Sequence, residues 1–170
     1  MITIDESIKV ERPVNMVYDQ WTQFEEFPQF MRRIKQVEQI DPVRTYWKAE
    51  LGWKTKEWFA VIVEQVPDKK IVWRSVSGEV HFGWVEFAAI APNRTRLNLR
   101  LNYKPEGVME ILGDFLGLVS GGIERDLKRF KQFIESRAVA TGGWRGVIQC
   151  CCSGQTSHPL LSHPLLTYDT

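Results

Sequence analysis

The sequence predicts an α+β fold: a curved antiparallel sheet of about seven strands wrapped on one long C-terminal helix, with two short helices after the first strand. Three observations predict it. Between residues 34 and 103 the apolar residues recur with a period of two, in segments separated by turn signals, as they do in an antiparallel sheet with one wet face. From 108 to about 136 the period becomes about 3.6 residues, that of an amphipathic helix. One further alternating segment, residues 2–10, is set apart from the others by Pro13 and two short helical stretches.

The elements follow in order. Ile2, Ile4, Ile8 and Val10 share one face of the first strand, and Pro13 ends it. Val14, Val17, Tyr18 and Trp21 stand at helical spacing and predict a short helix over about 14–23. Phe24, Phe27, Phe30 and Met31 are the apolar side of a second helix, interrupted by Pro28. In the sheet region Trp47, Ala49 and Leu51 share a face, as do Trp58, Ala60 and Ile62. Pro67-Asp68-Lys69-Lys70 turns the chain, after which Ile71, Trp73 and Ser75 align. Ser77-Gly78 turns it again. Gly83, Val85, Phe87 and Ala89 then line one face, with His81, beside the turn, assigned to the opposite one. The last strand alternates most clearly: Leu97, Leu99, Leu101 and Tyr103 against Arg96, Asn98, Arg100 and Asn102.

The long helix carries a continuous apolar stripe from Val108 to Ile134. Gly113, Gly117, Gly121 and Gly122 each weaken a helix by about 1 kcal/mol relative to Ala. They predict a bipartite helix, soft in its first half or broken near Gly121-Gly122.

Composition narrows the function classes. The 22 Lys+Arg against 21 Asp+Glu leave a net charge of +1, without the basic surplus that a nucleic-acid binder uses to neutralise phosphates. No apolar stretch reaches the roughly 18 residues of a membrane helix. Met1–Glu6 lacks the basic and apolar regions of a signal peptide, so a cytoplasmic location is the default expectation. One domain is expected over 1–138, with a disordered tail over 139–170. All three cysteines are the run Cys150-Cys151-Cys152, and Ser157-His158-Pro159-Leu160-Leu161 is duplicated as Ser162-His163-Pro164-Leu165-Leu166. Adjacent thiolates cannot all reach one tetrahedral zinc, so no metal is expected there; no cofactor is expected either.

A sheet that curves around a helix cannot touch it everywhere, and a cavity opens between them. Trp47, Trp58, Trp73, Val85, Phe87, Leu99, Leu101 and Tyr103 from the strands, with Leu112 and Leu116 from the helix, are its expected lining; filling a core is the other reading of the same residues. Six of the seven tryptophans lie within 21–84, and aromatic, apolar walls suit a small-molecule pocket. A hydrophobic small molecule is therefore the expected partner. Phe24, Phe27, Phe30 and Met31 either cap the cavity mouth, the preferred role, or present a patch to a protein or a membrane surface. Oligomeric state is left open.

These residues resemble a family. The carrying segments are Pro13-Val14 through Trp21, Phe27-Pro28-Gln29-Phe30-Met31, Glu57-Trp58-Phe59-Ala60, Ile71 through Gly78, Gly83-Trp84-Val85-Glu86-Phe87, Thr95-Arg96-Leu97 and Glu124 through Lys131. Together they resemble the helix-grip fold of START-like (SRPBCC) proteins over about residues 2–138. Within that superfamily the chain is similar to the polyketide cyclase/dehydrase group, which includes coenzyme Q-binding START-type proteins. The resemblance implies a cavity under the long helix for a lipid, an isoprenoid or quinone, or a polyketide-like aromatic. It does not imply a reaction, because fold does not fix function.

Catalytic motifs are scarce. His81 is the one histidine before the tail, and the body has no cysteine, so any nucleophile–histidine site would have to be built on His81; an edge residue is the expectation. Polyketide aromatase/cyclases of this fold, by resemblance, position a folded chain while a few polar groups assist enolisation and loss of water. Tyr103, Arg74, Glu64 and Glu86 are the candidates for that assistance, and the catalytic residues are otherwise unassigned.

Overall fold

The computed structural model describes residues 1–51, 54–78, 81–104 and 113–149, the side chains of 51 and 113–120 excepted. Its elements are β1 (Ile2–Val10), α1 (Val14–Trp21), a 3-10 helix (Phe24–Gln29), β2 (Ile34–Gln39), β3 (Arg44–Leu51), β4 (Lys54–Val66), β5 (Lys70–Gly78), β6 (His81–Ala91), β7 (Arg94–Tyr103), α2 (Gly113–Glu135) and β8 (Ile148–Gln149). The sheet runs β1-β7-β6-β5-β4-β3-β2, antiparallel throughout, with β8 pairing on β4. Strands β2 to β7 are the expected meander. β1 closes on β7 over its whole length, from Ile2 opposite Tyr103 to Val10 opposite Thr95.

Local chemistry sets the boundaries. The ring of Pro13 holds φ at −59° with ψ at 150°, so helical geometry begins at Val14. α1 stops at Trp21, where the Thr22 hydroxyl donates to the Asp19 carbonyl at 2.6 Å. The aromatic run after it forms a 3-10 helix, a form used in short pieces, and this one tolerates Pro28 near its end. β4 is bulged against β5 at Phe59/Ala60 and again at Ile62/Glu64. Bulges bend a strand and raise its twist, and these two curve the long β4 around the helix. Gly78 ends β5 with φ at +71°, where a Cβ would lie 2.2 Å from the Glu57 carbonyl oxygen. Only glycine fits there.

Two expectations are corrected. The break at Gly121-Gly122 is absent, and α2 is continuous from 113 to 135. The tail is not disordered from 139: residues 139–149 strap α1. Gln20, fully buried, accepts from the Thr141 N–H at 3.0 Å and donates to the Thr141 hydroxyl at 3.0 Å and to Glu26 at 2.7 Å. The Trp144 N–H donates to Thr22, and Arg145 reaches both Asp19 at 2.7 Å and Asp68 at 2.5 Å. A buried amide must find partners, and this segment supplies them. Residues 150–170, with the cysteine run and both tail histidines, lie outside the described residues.

The core closes under the C-terminal half of α2. Leu127, Phe130 and Ile134 are buried against Trp21, Phe30 and Leu97. Tyr18 is fully buried beside them, and its hydroxyl accepts from the Gln65 amide at 2.9 Å. Burial pushes the Tyr18 pKa above its ordinary 10.0, against the lowering pull of Gln65 and Arg145. The folded state therefore holds this proton more tightly than the unfolded one. Its contribution to stability is complete below about pH 10 and is lost as pH rises through the folded-state value. Tyr18→Phe removes that alkaline loss but leaves the Gln65 amide, 1 % exposed, without its acceptor, at a cost of about 1–3 kcal/mol. Urea melts of both proteins at pH 7 and about pH 11 should show the variant weaker at pH 7 and the difference shrinking at the higher pH; parallel pH profiles would refute the assignment.

Candidate functional site: an aromatic cavity beneath the long helix

A cavity of about 230 Å³ lies between the inner faces of β3, β4, β5 and β7, the aromatic side of the 3-10 helix, and α2 at Ile123 and Asp126. Six residues expected in its lining face it: Trp47, Trp58, Trp73, Leu99, Leu101 and Tyr103. Val85 and Phe87, expected with them, do not. Both point to the inner side of β6, but at the closed end of the molecule: Val85 is fully buried, and Phe87 packs edge-on against Tyr18 at 5.4 Å and Trp21 at 6.3 Å. There the large residues of α1 and α2 fill the space that stays open further along the sheet. Leu112 lies outside the described residues, as does the side chain of Leu116.

The walls are built from cross-strand pairs. Trp47 and Trp58 are register partners on β3 and β4, with near-parallel rings 6.1 Å apart and 5° between their planes. Phe27 meets Trp47 edge-on at 5.5 Å, and the His81 ring stands edge-on to Trp58 at 5.1 Å. The Trp47 Nε1–H donates to the Thr45 hydroxyl at 2.8 Å, so this indole presents a satisfied, apolar face. Trp73 pairs with Gly83 across β5 and β6, where a Cβ would lie 2.7 Å from the indole. The missing side chain is the notch that seats the ring.

Phe24 and Phe27 complete the wall and are buried, as is Phe30 behind them. The aromatic cluster around Pro28 is thus part of the cavity and core, not an exposed patch. Ala49, Ala60, Ile62 and Ile71, also in the lining, share strand faces with residues that the alternation picks out. His81 does not take the opposite face expected of it. It lies two residues before Gly83 and four before Val85 on β6, hence on the inner face, and it lines the cavity opposite Tyr103 in register.

Polar groups are few. Of the four candidates for catalytic assistance only Tyr103 reaches the cavity. Glu64 pairs with Lys70 at 2.9 Å, and Arg74 and Glu86 are exposed on the outer face. Asp126, 6 % exposed, accepts from the Arg32 N–H at 3.2 Å and from the Arg129 guanidinium, while Arg129 Nε donates to the Phe30 carbonyl at 2.9 Å. That carboxylate ties α2 to the turn before β2. Arg33 and Lys56 complete the polar lining, and alternation could not find Arg33 because it sits in that turn. Among the described residues no cluster of His, Cys, Asp or Glu could hold a metal, and no helix is long and apolar enough to cross a membrane.

Known proteins share this arrangement. A 17.2 kDa protein of Streptomyces lincolnensis is 42% identical over 149 residues, which cover 87% of this chain and 99% of that one. The Zhui aromatase/cyclase of Streptomyces sp. R1128 superposes with a TM-score of 0.70 at 13% identity, over 84% of this chain and 99% of that one. A START superfamily protein from Mycobacterium smegmatis does so with a TM-score of 0.66 at 13% identity, over 79% and 97%. At such identities the two structures speak to the fold, which is START-like. The sequence itself matches the model described as polyketide cyclase / dehydrase and lipid transport over residues 10–132; the chain belongs to that family.

Proposed function

We propose that the chain binds a hydrophobic small molecule in the cavity between the sheet and α2. The observation that carries this reading is the cavity itself: about 230 Å³ walled by Trp47, Trp58, Trp73 and Phe27. An apolar cavity of about 150 Å³ takes up benzene, so this one suits about two fused rings or the end of a longer isoprenoid, lipid or polyketide-like chain. A ligand burying roughly 400 Å² gains about 10 kcal/mol before the cost of association, which leaves affinity of tens of micromolar. Trp47, Trp58, Trp73, Leu99, Leu101 and Tyr103 are its contact residues in this reading, and the cytoplasm its location.

Titration with naphthalene-sized and prenyl-chain compounds should quench or shift tryptophan fluorescence saturably. A response that stays linear across the whole panel sinks the reading. One observation favours an enzyme of the cyclase/dehydrase type as a second reading: His81 and Tyr103 are register partners whose side chains both line the cavity, within one apolar space where a proton could be moved to or from an enolisable chain. Product formation in the same titration, read by mass spectrometry, is the outcome that selects it.

A further inference from the structure

Arg33 points to the charge of the ligand, an inference that rests on the cavity reading above. The residue sits where the chain enters β2, and its backbone carbonyl accepts from the Glu50 N–H at 2.8 Å, which anchors it at the sheet edge. Its side chain is half-buried and lines the cavity. The guanidinium lies against α2 at Gly122, where an added Cβ would be 2.8 Å from Nη1 and 3.0 Å from Cζ. A glycine inside a helix is a poor choice for helix stability. Here it leaves the room that the guanidinium occupies.

Among the described residues, the carboxylates of Asp126 and Glu50 are committed elsewhere. Asp126 on the same lining holds the Arg32 N–H and Arg129. Glu50, the backbone partner of Arg33, forms its ion pair with Lys35 at 3.0 Å. Among the described residues none forms a side-chain hydrogen bond or ion pair with Arg33. A cation half-withdrawn from water beside an apolar cavity favours an anion there, and a guanidinium offers a carboxylate two parallel N–H donors. We propose that Arg33 anchors the carboxylate of an amphiphilic organic acid whose apolar body lies against Trp47 and Trp58.

The test uses two probes with the same ring body: 2-naphthoate, ionised at pH 7, and its neutral methyl ester, both followed by tryptophan fluorescence. The full-length protein should bind 2-naphthoate at least tenfold more tightly than the ester. Arg33→Gln should remove that preference while leaving ester binding within about twofold. Gly122→Ala, which displaces the guanidinium without removing it, should reduce the preference several-fold with melting temperature unchanged or raised. Equal binding of the two probes by the native protein, or an unchanged preference in either folded variant, overturns the anchor and leaves the cavity reading standing. Failure of both probes to bind overturns both.

Discussion

Phe130→Ala lowers the free energy of unfolding by about 3–5 kcal/mol, the range for truncating a fully buried aromatic. The ring is 0 % exposed. It stands edge-on to Trp21 at 5.0 Å and Phe30 at 5.1 Å, geometries that each add about 0.5–1.5 kcal/mol beyond area burial. Collapse around the deleted ring is restricted, because its neighbours come from three elements held by separate bonds. Arg129 fixes the Phe30 carbonyl, the 139–149 strap holds α1, and β1 is paired with β7 along its length. Against a total of about 5–15 kcal/mol for a natural domain, the loss leaves the protein marginal. Urea denaturation read by far-ultraviolet circular dichroism measures it. Ile123→Ala on the same helix should cost less, since that side chain borders space already open. Equal costs for the two would show that the closed and open ends of the molecule are not packed differently.

That difference between the two ends is also what the sequence could not express. Alternation assigns a side chain to a face: the Leu97-to-Tyr103 series is legible because its outer neighbours Arg96, Asn98, Arg100 and Asn102 are charged or amide-bearing, whereas Trp47, Trp58 and Trp73, flanked by Tyr46, Phe59 and Val72, are legible from the period of two alone. Alternation says nothing of depth along the strand. Val85 and Leu101 carry the same signal, yet one is fully buried at the closed end and the other borders the cavity. His81 shares the odd positions of Gly83, Val85 and Phe87, so the period of its own strand puts it on the inner face. The strap was illegible for another reason. Thr141, Trp144 and Arg145 meet partners more than 70 residues away in the chain, and a segment of Gly, Thr and Arg with no periodicity resembles a loop until Gln20 and Asp19 are placed beside it. Arg33 and Gly122 are invisible separately: one is a turn arginine, the other a glycine that appears only to weaken its helix.

Ala60→Phe abolishes ligand uptake and leaves the fold intact. Ala60 is 2 % exposed, lies at a bulge of β4, and lines the cavity between Thr45 on β3 and Ser75 on β5. A phenyl ring there enters the cavity as a tethered occupant. A benzene-sized group accounts for about 150 Å³ of the 230 Å³ available, and the remainder is too small for a second ring. Affinity for a two-ring ligand should fall at least 100-fold, about 2.8 kcal/mol. Stability should change by no more than about 1–3 kcal/mol, since added contact with Trp47 and Trp58 opposes the strain of a larger core residue. Ala60→Leu, a smaller filler, should give an intermediate loss. This combination separates the two meanings of an aromatic lining. In a tightly packed core the larger side chain has nowhere to go, and unfolding follows. In a binding cavity it replaces the ligand, so binding is lost while the melting curve stays cooperative. A variant that keeps its ligand, or one that fails to fold with both Phe and Leu, rules out the cavity as the place where the ligand sits.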